Sequence, residues 1–435
     1  MPVAIFGMHS RNKASQAFRL QFIQGLHRLS KATTDLPGVF RMRLPDENIK
    51  TSILHPEGEI RLTALSHFAD SFSLDPTIMP LVIQAFGKYG RASSFAILRK
   101  AEDLVQSAST FDWLIDQLRR NFDTADIEGD NLRFAIALDI LAAPIDLLKS
   151  RKSEVDGLAS FPETLRSSFE QRLQMMTWGL EQGWEALEEL GRKTMRRGDW
   201  TLNQTRYAFR IIESLSQYPD QRGDMVLALL SKDLPERSDV ITWLEPEIVA
   251  LAGQMRLVAA IPILVEHLHS DNLALADAAT TALRKIGNDA VVEAIADDWW
   301  EGSDDFRGGA ADVLESIHTD LCVSEVLKFF DEEEDMDTAV ALGHGLLSHF
   351  EFYGIEPVRE LVLEGGDELS PDLFDLRYHL VAAATIMEIE FPAYEEWYDE
   401  AIETNWGWDE FEHPRLADAF QLDPVGPKRS GNGNR

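Results

Sequence analysis

The chain has 435 residues, 45% hydrophobic and 26% charged, and its 74 Asp+Glu outnumber 41 Lys+Arg to give a formal net charge of −33. This composition supports a folded core and excludes wholesale disorder, and the length allows two or three domains or one extended repeat array. The acid surplus would repel phosphate backbones and anionic bilayers, and no apolar run reaches the roughly 18 residues that span a membrane, so neither nucleic acid nor integral membrane association is expected.

In chain order, residues 1–34 carry Arg11, Lys13, Arg19, Arg28 and Lys31 and no acid. Residues 1–43 therefore read as a basic N-terminal arm, disordered or targeting-like; a secretory signal is not expected, because the apolar MPVAIFGM is short and precedes its charges. From 44 to 130 the spacing predicts pairs of amphipathic helices, as in 59–86, where Asp75-Pro76 opens the second helix, and in 92–118. From 131 to 240 the helical pattern is irregular. A long helix is expected from Pro162 to about Arg197, weakened at Gly179 and Gly183, each costing about 1 kcal/mol relative to Ala. Alternating β-branched runs with hairpin turns do not occur, so the fold class is all-α.

Residues 241–423 form an acidic C-terminal section. The span 291–420 alone holds 35 acidic and 5 basic side chains, a net of −30, which leaves about −3 for the rest. Within this section three segments align without gaps at a spacing of 31: QMRLVAAIPILVEHL from 254, KIGNDAVVEAIADDW from 285 and SIHTDLCVSEVLKFF from 316. Met255, Ile286 and Ile317 coincide, as do Ala260, Val291 and Cys322, then Ile261, Val292 and Val323; Leu264 and Ile295 match Leu327 nearly. A helix–turn–helix unit cannot bury its apolar face alone, so such units stack on their neighbours. Looser copies follow at 342–362 and 377–402, and GPKRSGNGNR ends a tail over 424–435 expected to be disordered.

ALRKIG (282–287) and AVVEAI (290–295) resemble the short type of HEAT-like repeat also found in phycobilin lyases. The family's arginine at the start of the first helix is matched by Arg61 and Arg307, with Asp277 read at that place in the central unit. The resemblance is good over 245–330, fair at 59–86 and weak elsewhere. It implies an α-solenoid of helix–turn–helix repeats, a fold whose members serve as scaffolds, chaperone-like binders and lyase components, and fold alone does not choose among them.

Each motif that would carry chemistry lacks a residue the chemistry needs. EELGRKT (188–194) has Arg192 between the Gly and the Lys of a phosphate loop, and helical periodicity explains it better. TADIEGDNLRFA (124–135) puts Ala135 where a calcium loop needs a bidentate Glu and reads as an interhelical turn. His344 and His349 are five apart and diverge on a helix, whereas metal-binding pairs are four apart. One cysteine, Cys322, forms no intrachain disulfide and fits a reducing compartment and a buried position. No catalytic set, metal site or cofactor is expected, and the protein is read as cytoplasmic.

The remaining signal is tryptophan beside acid. DDWWEGSDDF (297–306) and the segment 395–413 make Trp299, Asp304, Asp305, Trp406 and Trp408 the candidate partner-binding residues. DEEEDMD (331–337) reads as an exposed acidic loop. The sequence thus points to a non-catalytic protein-interaction scaffold whose acidic, concave solenoid face binds a basic protein or peptide; the alternative is an enzyme or enzyme subunit of lyase type.

Overall fold

The computed structural model describes residues 43–407 apart from 92–93, 121, 123–125, 199, 232–237 and 366–369. Residues 1–43 and 44–435 form separate units, and the described helices all belong to the second. The expected arm, all but its last residue, and the expected tail lie outside the described residues. Those described are all-helical, with no strand among them.

Helices succeed one another in pairs whose ends follow local chemistry. Leu273–Ile286 stops at Gly287, which adopts a left-handed φ of +55° and donates its N–H to the Leu283 carbonyl at 2.9 Å. The next residue, Asn288, caps Asp289–Asp298 by accepting the Val291 N–H at 3.3 Å. A C-cap glycine followed at once by an N-cap asparagine makes the turn as short as two residues. Ser303, Thr319, Asp335 and Ser370 cap the next first or second helices in the same way.

The 31-residue repeat is a repeat of burial. Ala260, Val291 and Cys322 are fully buried, as are Leu264 and Ile295; their counterpart in the third unit is the fully buried Val326 rather than Leu327, which is only partly covered. Arg61 and Arg307 act alike, reaching back to carbonyls of the preceding turn: Arg61 to His55 and Pro56 at 2.8 and 2.6 Å, Arg307 to Gly302 at 3.3 Å. At a spacing of 31 the residue matching Arg307 is Ala276, not Asp277, which stands exposed.

Two other expectations are corrected. The long helix is two, Glu163–Met175 and Leu180–Arg197, parted at Gly179. Gly183 continues the second because a Cβ there would lie 2.7 Å from Leu215 Cδ2, so close packing and not a break requires it. Of the segment 124–135, the described part from Ile127 onward is no turn but the start of Ile127–Ala142, capped by Asp126, which accepts the Gly129 N–H at 2.9 Å.

The first helices of the pairs pack side by side in chain order: Gly58–Asp70, Phe95–Lys100, Ile127–Ala142, Glu163–Met175, Leu202–Leu215, Glu245–Gln254, Leu273–Ile286, Asp304–Glu315, Met336–Ser348 and Pro371–Ile386. The last packs back against the first, so the row of helices closes on itself instead of ending in an open concave face. Each unit adds a small rotation, and enough units bring the ends together. The seam carries polar links: His67 Nδ1 lies 2.9 Å from the Ser348 carbonyl, and the Leu44 N–H donates to the Phe350 carbonyl at 3.1 Å.

Candidate functional site

The five residues singled out in sequence divide sharply. Trp299 is fully buried, its ring stacked on Phe329 with centroids 4.2 Å apart and planes 3° from parallel. It is core and no partner-binding residue, because Val292, Ile295 and Trp299 share one helix face and that face points inward. Trp406 is also core: it is 8% exposed and packs edge-on against Tyr378 and Tyr398. Trp408 lies outside the described residues. Asp304 and Asp305 are exposed in the first turn of Asp304–Glu315, a favourable place for acids, and Asp304 pairs with Arg307 at 2.6 Å. Of the four described residues of the set, the two aspartates are therefore the ones on the surface.

The most exposed indole among the described residues of the acidic section is Trp300, 47% accessible, ahead of Trp243 at 36%. Its ring meets that of Phe329 in a T-shaped arrangement with centroids 5.9 Å apart, which anchors it while about half of the side chain stays accessible. Asp297 and Glu301 flank it on its own segment, and on Asp320–Glu332 the acids Glu325 and Glu332 stand one turn either side of Phe329. Met336 and Leu363 are further exposed apolar side chains of this section. Residues 331–337 are not a plain acidic loop. Asp331 and Glu332 end a helix, Glu333 pairs with Arg307 at 3.1 Å, and Asp335 accepts the Thr338 N–H at 2.9 Å as a cap.

The inner wall holds a second feature. Between Leu202–Leu215, Glu245–Gln254 and Leu273–Ile286 lies a pocket of about 240 Å³, lined by Phe209, Ile212, Ala250, Gln254, Asp277, Ala278, Thr281, Ala282 and Lys285. Burial pushes the Lys285 amine down, and Asp103 opposes this only in part. One turn before Ala250, burial pushes the Glu247 carboxyl up to about 7. Elsewhere, Asp139 is fully buried with neither oxygen hydrogen-bonded, and burial raises its carboxyl well above the usual range.

Histidines are paired with each other. His318 Nδ1 stands 2.9 Å from His349 Nδ1, His318 Nε2 stands 2.9 Å from the His67 carbonyl, and His349 Nε2 stands 3.7 Å from Cys322 Sγ. Because the His67 carbonyl only accepts, a neutral His318 donates from Nε2 and accepts from His349 at Nδ1. This consumes the cysteine and two of the histidines in a core hydrogen-bond chain, and among the described residues no group of His, Cys, Asp and Glu has the arrangement of a metal site.

His344 and His379 stack with their Nδ1 atoms 2.9 Å apart. Burial, with the neighbouring His344 adding to it, holds His379 down at about 3. An unfolded histidine binds its proton near 6.5, so between pH 6.5 and about 3 the unfolded chain holds a proton that His379 lacks, and stability falls as pH falls. His379→Phe is expected to remove up to one proton from the slope of stability against pH in that window, measured by urea unfolding at stepped pH; an unchanged slope contradicts it.

No helix among the described residues is long and apolar enough to cross a membrane. Comparison of the chain with protein families, with curated proteins and with solved structures found no match.

Proposed function

We propose that the chain is a non-catalytic protein-interaction scaffold, a solenoid of HEAT-like repeats that holds a basic protein segment against its acidic C-terminal section, in the cytoplasm. The observation that carries this reading is Trp300, an exposed indole with Asp297 and Glu301 beside it in its own segment, packed on Phe329, which has Glu325 and Glu332 one turn either side on its helix. An open aromatic face is the preferred seat of a guanidinium or ammonium, and carboxylates around it draw such groups in and pair with them. The wider field supports it, since a net of −30 over 291–420 accelerates encounter with a cationic partner at low salt.

The test is the binding of a fluorescein-labelled Arg/Lys-rich peptide to the full chain, read by anisotropy at low and moderate salt. Trp300→Ala leaves the net charge unaltered and is expected to weaken binding by about 2 kcal/mol, roughly 30-fold, while the melting temperature holds. Binding that falls with salt yet ignores Trp300→Ala would be diffuse attraction, and the site would be withdrawn.

A further inference from the structure

The pocket on the inner wall has the chemistry of a small-ligand site, separate from the acidic surface. Its sides are apolar and thin. Ala250, Ala278 and Ala282 leave a slot beside Ile212 and the ring of Phe209, itself 46% exposed. Glu245–Gln254 and Leu273–Ile286 approach very closely beside it, a Cβ at Gly253 falling 2.4 Å from the Ala282 Cα. Small side chains at that crossing leave unfilled space where larger ones would close it.

One end of the slot is polar. The Lys285 ammonium donates to Gln254 Oε1 at 2.7 Å and lies 5.2 Å from the ring centre of Phe72 and 5.8 Å from that of Phe209. Among the described residues no carboxylate stands within ion-pair distance of it, so a partly buried cation is held by a neutral amide. Thr281 is one helical turn from Lys285, which puts its hydroxyl on the same side. The Gln254 amide N–H, the Thr281 hydroxyl and the free N–H groups of Lys285 make a set of donors that wants an acceptor with negative charge.

We propose that this pocket binds a small monocarboxylate with a flat apolar body, its carboxylate on Lys285, Gln254 and Thr281 and its body between the alanines and Phe209. The volume of about 240 Å³ is that of some eight waters at about 30 Å³ each, which suits a compound of about ten non-hydrogen atoms. At Lys285 the negative potential of Asp103 and Glu213 is opposed by the charge of Arg256, and the Asp277 carboxylate lines the same pocket, so a second carboxylate on the ligand would meet repulsion there.

The probe is phenylacetate, with neutral phenylacetamide as its isostere, measured against the full chain by equilibrium dialysis. Saturable binding of the carboxylate at one site is expected, with the amide at least tenfold weaker. Lys285→Met and Ala278→Leu are each expected to weaken phenylacetate at least tenfold, the first by removing the charge and the second by filling the slot. Thr281→Val, an exposed change that leaves the lysine in place, is expected to weaken it severalfold. Non-saturable uptake, equal binding of the amide, or binding by Ala278→Leu and Thr281→Val at the wild-type level would each overturn the proposal. None of these residues belongs to the Trp300 surface, so failure here leaves that reading untouched.

Discussion

Trp299→Ala is expected to destabilise the chain by about 3–5 kcal/mol, the range for removing a large aromatic side chain from a packed interior. The indole is fully buried and stacked flat on Phe329, and Phe329 is itself fully buried, so two helices lose their shared filling at once. The cavity opens between Asp289–Asp298 and Asp320–Glu332, which pack on each other in successive repeats. Chemical denaturation followed by circular dichroism measures the loss, and the neighbouring Trp300→Ala serves as the control that should change stability little. If Trp299→Ala instead unfolds at the wild-type denaturant concentration, the inward orientation of this residue is wrong.

Arg172→Met is expected to cost a similar amount, about 3–5 kcal/mol, for a different reason. Arg172 is 5% exposed and ties three elements together: Nη1 donates to the carbonyls of Leu141 and Ala143, and Nε to both oxygens of Glu213 at 2.8 and 3.1 Å. Burial pushes the Glu213 carboxyl up, but the hydrogen bonds and charge of Arg172, and then of Arg210, outweigh it and leave it below its usual value. Without Arg172 that carboxylate depends on Arg210 alone, at 3.0 Å. Removing one partner of a buried pair strands the other, whereas replacing both with apolar groups does not. The double variant Arg172→Met, Glu213→Leu should therefore recover part of the loss in urea unfolding. A double variant no more stable than Arg172→Met would show that the carbonyl contacts dominate. Glu213 also sets a sign: its pKa is depressed, so its stabilisation is present above the unfolded value near 4.5 and is lost as pH falls.

Much of the architecture was legible because helical repeats write themselves in local pattern. Gly287 and Asn288 mark a turn by their own conformational preferences, and the aligned Ala260, Val291 and Cys322 mark a buried stripe without reference to anything distant. Closure was not legible, since it depends on Pro371–Ile386 meeting Gly58–Asp70, a contact between segments some three hundred residues apart with no signal in either.

The candidate site was misread at one position for a reason the sequence did contain. Trp299 follows Val292 and Ile295 on the apolar face, while Trp300 follows Glu293 and Asp297 on the polar one, so the helical period already separated the two indoles. Trp406 offered no such guide: it sits at a positive φ of 58° in a short 3-10 turn after Tyr394–Glu403, where the α-helical period is interrupted. The Lys285 pocket could not be foreseen, because its walls come from three helices and its opening depends on small residues that read in sequence as ordinary helix formers.

The measurement that bears most directly on the proposed function is hydrogen–deuterium exchange of the full chain with and without the Arg/Lys-rich peptide, resolved to short segments. The scaffold reading predicts added protection around Asp297–Glu301 and Glu325–Glu332, and none at Phe209 or Lys285. Protection confined to the inner wall, or spread evenly over every acidic segment, would contradict a partner site centred on Trp300.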